Sequence, residues 1–456
     1  MSLDYQKTPA PPFGHPMLEY FPFDKEVKIM NHGSYGSLPV PVLEKCTALA
    51  AQAEANPDMW NRVTYLPLLT RVRERVAALL GAQTDECVMV ANASAGVSTV
   101  LRNIEWAKGD VIVTFRSTYG AVERAVQYIC DSPPHPTVTV VPLVFPTTPE
   151  AVVAQFRAHL KAIPRVPGQT VLAIIDALVS LPGVLLPWEE MVKVCKEEGV
   201  LSLVDGAHAI GQVVGIDLSK IEPDFFISNC HKWLYAKRGC AVLYVPLRNQ
   251  HLVKSSFPTS HAYISPANRT TPNFVEQFDW TATIDLVPFV SVGPALDFRQ
   301  WLGGEAKINE YCHQLVMDGA ARVAEILGTS VLDPTGDMTG NMANVKIPLP
   351  DDLDAKATMD KMREKTLVQR KIYVPSFFLP ETGWWIRVCA QVWNEVRSGG
   401  RAGPRVGMLT ASLSFCRCRT LSCSAAFCSR SAARLSERSK QLDSQIIASH
   451  RISHLI

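Results

Sequence analysis

The sequence lacks both a strong net charge and any long apolar run. Its 456 residues carry 45 Lys and Arg against 43 Asp and Glu, so neither nucleic acid nor a charged membrane surface is indicated as a partner. No stretch approaches the roughly 20 consecutive apolar residues that a membrane-spanning helix needs. The amino-terminal segment MSLDYQKTPAPPFGHP combines an early acid with several prolines and has no apolar core, which argues against a secretory signal.

The cysteines lack the spacing of a disulfide framework or a zinc site. Twelve cysteines at irregular intervals, in a chain of this length without a secretory signal, are typical of reduced buried thiols, and we expect a cytoplasmic protein. The four cysteines between residues 416 and 428 could be interpreted as metal ligands. Their spacing fits no zinc pattern and no histidine lies among them, so we predict no metal site.

Positive charge is concentrated near the carboxyl end. Residues 398–456 contain nine Lys and Arg against two acids, and this +7 leaves −5 on residues 1–397 within the total of +2. The same segment holds twelve Ser and four Cys, and it shows neither helical nor strand periodicity. Because it has little apolar surface to bury, we predict that residues 398–456 form a disordered Ser/Arg/Cys-rich tail that is dispensable.

Short apolar runs alternate with amphipathic stretches from about residue 85 onward. The predicted strands are rich in Val and Ile and are bounded by turn residues; they are Cys87–Ala91, Val111–Phe115, Thr137–Val144, Val171–Ile175, Val200–Val204 and Cys240–Val245. Helical patterns such as Trp188–Glu198, which Gly199 ends, lie between them. This alternation predicts an α/β fold in which helices cover both faces of a mostly parallel sheet.

A smaller α+β unit is predicted after about residue 300. It consists of a long helix ended by Gly328, a strand, a second helix and an extended segment, at Glu305–Leu327, Ala343–Leu349, Leu353–Gln369 and Ile372–Val392. We therefore predict an N-terminal arm at residues 1–30, a large domain at 31–300, a small carboxy-terminal domain at 301–397 and the tail at 398–456.

Lys232 follows the apolar run Phe225–Ile227 within the segment Ile227-Ser-Asn-Cys-His-Lys-Trp233. Burying an ammonium group is costly unless it is paired or neutralised. A desolvated lysine with a depressed pKa is nucleophilic and condenses with an aldehyde to a Schiff base. The alternative is a surface lysine at a strand end whose stem snorkels, which is the more common case for a lysine taken alone.

Asp205 ends the predicted strand at 200–204 and begins the turn Asp205-Gly-Ala-His208. A carboxylate there could pair with the protonated ring nitrogen of a heteroaromatic cofactor, which makes the ring an electron sink. It could also cap the following helix. Since Asp205 and Lys232 both follow strands of one predicted sheet, and ligands bind beyond the carboxyl ends of such strands, the pair favours a cofactor site.

Two further turns are suited to a cofactor. Ala91-Asn-Ala-Ser-Ala-Gly96 precedes the helical run Val97–Ile104, and its small residues let backbone N–H groups and the Ser94 hydroxyl approach a phosphate, although such turns are common. Tyr119, in Ser117-Thr-Tyr-Gly120, could lie flat on a planar ring or be an ordinary core tyrosine.

Asp205-Gly-Ala-His208 and Asn229-Cys-His-Lys-Trp233 together resemble the signature of class V aminotransferase-fold enzymes. The resemblance runs from Asn31-His-Gly-Ser-Tyr-Gly36 through Arg387, in the branch that contains isopenicillin N epimerase and the fungal hercynylcysteine sulfoxide lyases of ergothioneine biosynthesis. Similarity to the lyases depends on Ser180-Leu-Pro-Gly183, Asp224-Phe-Phe and Arg248-Asn-Gln-His251. It implies the fold of PLP-dependent transferases (fold type I), pyridoxal 5′-phosphate as cofactor, a small amino-acid substrate and a homodimer.

The resemblance also implies a role for each matching residue. Lys232 would hold the cofactor as the internal aldimine and move the substrate α-proton, and Asp205 would pair with the pyridine nitrogen. Further cofactor contacts would be His208 and Asp176 near the 3′-oxygen, Ala93, Ser94, Asn229 and His231 at the phosphate, Tyr119 on the ring, and Thr283 at the phosphate of the neighbouring subunit. Arg387 would bind the substrate α-carboxylate with both oxygens, in a site that includes Asn31 and His32.

Three departures from the family pattern stand out. The usual Asn-Ala-Thr is Asn92-Ala-Ser94, which keeps the hydroxyl, and Ala282 replaces the glycine before Thr283. The family continues after Asn394-Glu395 with a helix, whereas this chain changes to the tail sequence. We therefore expect an incomplete small domain.

Several functions are compatible with these residues. The leading hypothesis is a carbon–sulfur lyase that acts on a cysteine-conjugate sulfoxide by β-elimination. An epimerase would need a second acid opposite Lys232, which the sequence does not identify. A cysteine desulfurase would need a nucleophilic cysteine on a mobile loop, and none lies between Cys312 and Cys389. The altered tail leaves a catalytically silent scaffold as a further alternative.

Overall fold

A computed structural model of the protein describes residues 5–271 and 273–396. The predicted tail at 398–456 lies outside these residues. The strands are β1 (Cys87–Val90), β2 (Val111–Phe115), β3 (Thr137–Val141), β4 (Val171–Asp176), β5 (Leu178–Val179), β6 (Val184–Leu185), β7 (Leu201–Asp205), β8 (Phe225–Ser228), β9 (Ala241–Tyr244), β10 (Met342–Lys346), β11 (Ser376–Leu379) and β12 (Gly383–Cys389).

The helices of the described residues range from single turns to 24 residues. They are α1 (His32–Tyr35), α2 (Val40–Ala55), α3 (Pro57–Met59), α4 (Tyr65–Leu80), α5 (Ala93–Asn103), α6 (Gly120–Asp131), α7 (Pro149–Lys161), α8 (Trp188–Glu197), α9 (Leu218–Ile221), α10 (Cys230–Trp233), α11 (Phe274–Asp279), α12 (Val287–Val290), α13 (Val292–Trp301), α14 (Gly304–Leu327) and α15 (Ala355–Arg363). Short π-helical turns occupy Trp60–Thr64 and Glu364–Gln369, and 3₁₀ turns occupy Tyr5–Lys7, His15–Tyr20, Thr84–Glu86, Leu247–Leu252 and Pro266–Asn268.

The large sheet has the strand order β1-β9-β8-β7-β4-β2-β3. Strand β9 is antiparallel to both neighbours, and the pairs from β8 to β3 are parallel. Its central strands are apolar on both faces because both are covered: Ile112 belongs to the buried apolar cluster that includes α5 and α6, whereas the adjacent Val113 belongs to the cluster that includes α4, α7 and α8. The predicted α/β fold with a mostly parallel sheet is therefore confirmed.

Strand β3 is shorter than the predicted Thr137–Val144. It ends at Val141 because Pro142 follows, and proline has no N–H for the ladder. Helix α8 ends one residue earlier than predicted, at Glu197, and Gly199 turns the chain with a φ of +63°.

The smaller sheet has the order β10-β12-β11, and both of its pairs are antiparallel. Helix α14 packs on β10 and ends at Gly328, whose φ of +64° favours glycine. The predicted helix at 353–369 is α15 followed by the π-helical turn, and the predicted extended segment is the hairpin β11–β12. The boundaries drawn between the arm and the two domains remain predictions.

The segment before α1 lies along both sheets. The Gly14 N–H donates to the Val392 carbonyl at 2.7 Å, and Phe21 packs on Trp393 with ring centroids 4.4 Å apart. Lys28 forms a bridge with Ile372. This segment therefore helps to place the small sheet against the large one. Within residues 5–271 and 273–396, no helix combines the length and apolar character needed to cross a membrane.

Candidate active site

The predicted site residues meet at the carboxyl ends of three neighbouring parallel strands. Asp176 ends β4, Asp205 ends β7, and Lys232 lies in the short helix α10 that follows β8. The sheet register places Asp176 directly beside Asp205. Since side chains at the ends of adjacent parallel strands converge on one edge, the strand order of the sheet assembles this part of the site.

Lys232 Nζ lies 3.1 Å from His208 Nε2. The indole N–H of Trp233 can only donate, and it lies 3.3 Å from His208 Nδ1, so the neutral imidazole carries its proton on Nε2. The neutral amine is the only form of lysine that can accept that proton. Burial lowers the pKa of Lys232 to about 8. The charge of Asp205 raises this pKa, and the charge of Arg387 lowers it. The snorkelling alternative is therefore wrong.

His208 is itself buried and stays neutral. Its pKa lies well below the usual value, first because of burial and then because of the nearby Lys232 charge. Its carbonyl accepts a hydrogen bond from Gln212 Nε2 at 2.8 Å. The Gln212 bond holds the His208 backbone, whereas Trp233 and Lys232 contact the two ring nitrogens.

Asp176 and Asp205 form a buried acid pair with unequal surroundings. Asp205 Oδ1 accepts the Ala207 N–H at 3.0 Å within a turn, and because no helix begins there the helix-capping interpretation of this residue is wrong. Asp176 Oδ2 is buried and has no hydrogen-bond partner among the described residues. Burial raises the pKa of both carboxyls, and the charge of Asp205 raises that of Asp176 further.

This pair fits a cationic heteroaromatic ring. An ionised carboxylate without a positive partner is costly to bury, so a ring nitrogen that carries a proton would stabilise the Asp205 side of the pair. The unpartnered oxygen of Asp176 leaves a second polar group for a hydroxyl of the same ring. A pyridine ring with an adjacent oxygen, as in pyridoxal phosphate, provides both groups.

The amino terminus of α5 offers the anion site. The Asn92 side chain accepts the Ala95 N–H at 2.9 Å, and Asn229 Oδ1 accepts the Ala93 N–H at 2.9 Å. No hydrogen bond in the described structure uses the backbone N–H or the hydroxyl of Ser94. These two donors are left for a phosphate at the positive end of the helix. Asn229 thereby acts by positioning the turn, and its amide NH₂ remains available.

His231 is less suited to a phosphate than the resemblance implies. Its Nδ1 lies 2.8 Å from the Cys240 carbonyl, which can only accept, so Nδ1 carries the proton of the neutral ring. Burial lowers the pKa of His231 and favours this neutral form. Nε2 is then an acceptor, and it bonds a phosphate oxygen only when the ring or that oxygen is protonated. The phosphate role of His231 stays a prediction.

Arg387 lies in β12 and is only 1% exposed. Nη1 donates to the Ser180 carbonyl at 2.7 Å, and Nη2 donates to Asn31 Oδ1 at 2.8 Å and to Ser34 Oγ at 3.0 Å. Nε has no partner among the described residues. A Cβ at Gly183 would come within 2.9 Å of the Arg387 side chain, which explains a glycine there.

His32 lies behind the Lys232 turn. Its ring is 5.0 Å from Trp233 and 5.2 Å from Trp393, and Nδ1 lies 3.2 Å from Ser37 Oγ. Burial lowers the pKa of His32 to about 3, and Nε2 is unpartnered in the described residues. The structure therefore joins Asn31, but not His32, to Arg387 by a hydrogen bond. The predicted substrate contact of His32 stays a prediction.

Tyr119 and Thr283 are both at the surface of the single chain. Tyr119 precedes α6 and is 49% exposed, so the core-tyrosine alternative is wrong. Thr283 is exposed in the loop before α12, and no hydrogen bond of the described residues connects it with the residues above. Its predicted role at a neighbouring subunit stays a prediction, as does the stacking role of Tyr119.

Sequence reasoning missed two residues that fix the site from behind. Ser228 Oγ accepts the Ile210 N–H at 2.9 Å and donates to the Gly206 carbonyl, which shapes the turn of His208. Arg299 in α13 donates to the backbone of the same turn and to that of the Lys232 turn. Ser228 could have been suspected as a polar residue ending an apolar strand, but no local pattern reveals which backbone Arg299 meets. Within the described residues, no group of three or more His, Cys, Asp or Glu side chains is arranged to hold a metal ion.

The chain resembles known proteins along most of its length. The class V aminotransferase family model matches residues 37–365. The chain is 36% identical over 433 residues to the L-cysteine desulfhydrase-like protein lolT1 of Epichloe uncinata, with 86% of this chain and 94% of that protein covered. It is 32% identical over 345 residues to the hercynylcysteine sulfoxide lyase of Schizosaccharomyces pombe, with 74% and 84% covered. Among solved structures, the cystine C–S lyase C-DES with its product cysteine persulfide superimposes with a TM-score of 0.67 at 20% identity, over 81% of this chain and 94% of that one.

Proposed function

The chain belongs to the class V aminotransferase family of pyridoxal-phosphate enzymes, and on that premise we propose that it is a carbon–sulfur lyase acting on a cysteine conjugate or its sulfoxide. The observation that carries the proposal is the largely buried Lys232 amine, held between His208, the acid pair and Arg387. The named relatives support the choice of bond, since a hercynylcysteine sulfoxide lyase and an L-cysteine desulfhydrase-like protein are both among them.

Each residue has a defined task in such a reaction. The cofactor, when bound, supplies an electron sink for the carbanion formed at the substrate Cα. Ser94 and the α5 amino terminus would hold its phosphate, and Asp205 would keep its ring nitrogen protonated. Arg387 orients the substrate through its α-carboxylate, so that the Cα–H bond points at Lys232.

Lys232 then moves the proton. Its neutral Nζ accepts the proton from Cα, and the electron pair released there expels the sulfur group from Cβ as the Cβ–S bond breaks. Protonation of the sulfur completes the departure of a thiol or, from a sulfoxide, a sulfenic acid. The remaining aminoacrylate reacts with water to give pyruvate and ammonia. His208 supports the first step because its Nε2–H donates to Nζ and thus favours the neutral base.

The described cysteines favour direct elimination over sulfur transfer to an enzyme thiol. A desulfurase of that kind needs an accessible thiolate, and the eight cysteines of the described residues are buried apart from the half-buried Cys130. Burial raises the pKa of Cys130, and it raises that of Cys312 to about 12. None of these residues therefore has the properties of a sulfur-accepting nucleophile.

The proposal is tested with a panel of substrates. The purified enzyme loaded with cofactor is given an S-alkyl cysteine sulfoxide, the corresponding thioether, L-cysteine and cystine, and pyruvate and ammonia are measured. We expect equimolar pyruvate and ammonia from the conjugates. Racemisation in deuterated water, with deuterium at Cα and no pyruvate, would instead identify an epimerase.

We further propose that the enzyme is a homodimer in a reducing compartment such as the cytosol. Exposed Thr283 and the neighbouring apolar Ile284 are surfaces that a second copy would cover, and twofold dimers are the commonest assembly. The free cysteines support the compartment. Light scattering of the loaded enzyme should give twice the chain mass, and a monomer that binds cofactor tightly would contradict the dimer.

A further inference from the structure

Two turns that carry the proposed chemistry touch each other away from the cofactor side. One follows β7 and includes His208 and Gly211, and the other is α10 with Trp233 at its end. Gly211 has a φ of +81°, and a Cβ there would lie only 2.7 Å from the Trp233 carbonyl carbon. The two backbones are therefore in direct contact. Any change in their separation alters the distance between the side chains that they present.

Arg299 connects the two turns from the back of the site. It lies in α13 and is 1% exposed. Nη1 donates to the Trp233 carbonyl at 2.7 Å, and Nη2 donates to the Gly211 carbonyl at 2.9 Å. A planar guanidinium spans two carbonyls in a fixed geometry, whereas the donors of a lysine ammonium rotate on a flexible stem and fix no separation.

Glu305 holds the guanidinium in place. Its two oxygens accept from Arg299 Nε at 2.5 Å and from Nη2 at 2.6 Å, and the guanidinium lies over the Tyr235 ring at 5.1 Å. A buried ion pair is weak evidence for a stabilising role, because packed apolar side chains of similar volume are often as stable. The directed bonds to the two carbonyls instead suit this arginine to fixing the position of the two backbones.

We propose that Arg299 is a positioning residue for the reaction proposed above. Its two donated bonds hold the Trp233 and Gly211 backbones at a fixed separation. That separation determines how closely Lys232 approaches His208. Arg299 thus acts on the catalytic lysine without touching substrate or cofactor.

The consequence is measurable on the lysine itself. Burial is the largest cause of the lowered pKa of Lys232, so a turn that moves outward returns this pKa toward its usual value. The charged and titratable groups that face Lys232 are Asp205, His208, His231 and Arg387. None of them is substituted in the variants below, and His208 lies on the turn of Gly211, so a shift reports the separation of the two turns.

The test compares three full-length variants: Arg299→Lys, Glu305→Gln and Glu305→Asp. R299K keeps the charge but lacks the planar group that fixes the separation of the two carbonyls. E305Q keeps the length of the side chain and the bonds of the guanidinium to the carbonyls, while the ion pair is lost. E305D keeps the charge, but its shorter side chain pulls the guanidinium away from the two carbonyls. Each apoprotein is mixed with pyridoxal phosphate, and the rate of imine formation is followed by absorbance from pH 6 to pH 10.

We expect the midpoint of the pH profile to rise by about one unit in R299K, which slows condensation at pH 7 about tenfold. E305D should shift it in the same direction by less, and E305Q should leave it unchanged although its thermal midpoint falls. Equal midpoints in R299K and E305Q would show a purely structural role and overturn the proposal. If R299K does not fold, the comparison of E305D with E305Q decides, and equal midpoints there overturn it as well. Failure of the lyase reaction itself would appear as absent pyruvate with these profiles unchanged.

Discussion

Replacing Asp176 by asparagine should stabilise the apoprotein at neutral pH. Asp176 is buried beside Asp205, and its Oδ2 has no hydrogen-bond partner in the described structure. Burial, and then the Asp205 charge, raises its pKa well above the usual value. Folding at pH 7 therefore requires Asp176 to take up a proton or to stay ionised without a partner. Asparagine has the same shape and needs neither.

The sign and size follow from proton linkage. Because the folded pKa is raised, the stability that Asp176 contributes is fully present below its unfolded pKa of about 3.9. It is lost as the pH rises toward the folded pKa, at about 1.4 kcal/mol for each pH unit. Asp176→Asn removes this loss. Above pH 4 the free energy of unfolding of the variant, relative to that of the wild type, should therefore rise with pH by the same amount for each unit. The two proteins should be closest in stability at the acid end.

Urea unfolding of both apoproteins, followed by tryptophan fluorescence between pH 4 and pH 8, measures the difference. Asp224→Asn is the matched control, since Asp224 accepts hydrogen bonds from the Ser202 N–H and from Asn249 Nδ2, both at 2.8 Å. Loss of the Asp224 carboxylate should destabilise the protein at neutral pH. If D176N is also less stable at pH 7, by an amount independent of pH, then Asp176 is an ionised and well-paired residue and the reasoning fails.

Three further predictions concern the loaded enzyme. Lys232→Ala should abolish the borohydride-reducible cofactor adduct with little change in thermal midpoint, since only the covalent link is lost; an adduct that persists would contradict the assignment. Arg387→Lys should raise KM about tenfold or more because a two-pronged carboxylate contact is lost, while the cofactor dissociation constant stays the same; an unchanged KM would place the carboxylate elsewhere. A chain that ends at Arg397 should bind cofactor as the full chain does, because every residue assigned to the cofactor lies upstream, and loss of binding would show that residues 398–456 matter.

The sheet could be predicted because its signal is local. Runs such as Val111–Phe115 and Val171–Ile175 are apolar on both faces and short, which specifies buried parallel strands without any knowledge of their neighbours. The errors of prediction lie at the ends of strands, where a single residue determines whether the strand continues. Pro142 ends β3 at Val141, before the predicted end at Val144. The hairpin β11–β12 was predicted only as an extended segment, although Pro380 and Gly383, which has a φ of +88°, mark the turn between its strands.

The features of the site also divide into those that local sequence predicts and those that depend on tertiary contacts. Asp205 and Lys232 were predictable because each follows a strand, and the strand order makes them neighbours. The bond from Trp233 to His208 was not, since it joins two turns whose contact depends on the packing of Gly211. The tautomer of the imidazole follows from that bond, and this tautomer favours the neutral form of the lysine. Sequence thus identifies the reacting groups, whereas tertiary contacts set their protonation.

Charge balance explains why these particular states belong together. When Lys232 has given up its proton and Asp176 holds one, the site is left with the negative Asp205 and the positive Arg387. A protonated ring nitrogen then finds its partner in Asp205, and a substrate carboxylate finds its partner in Arg387. Had Lys232 remained charged, it would compete with the ring nitrogen for Asp205 and could not accept the Cα proton. In its neutral form Lys232 can act as the base, while each incoming charge meets a charge of opposite sign.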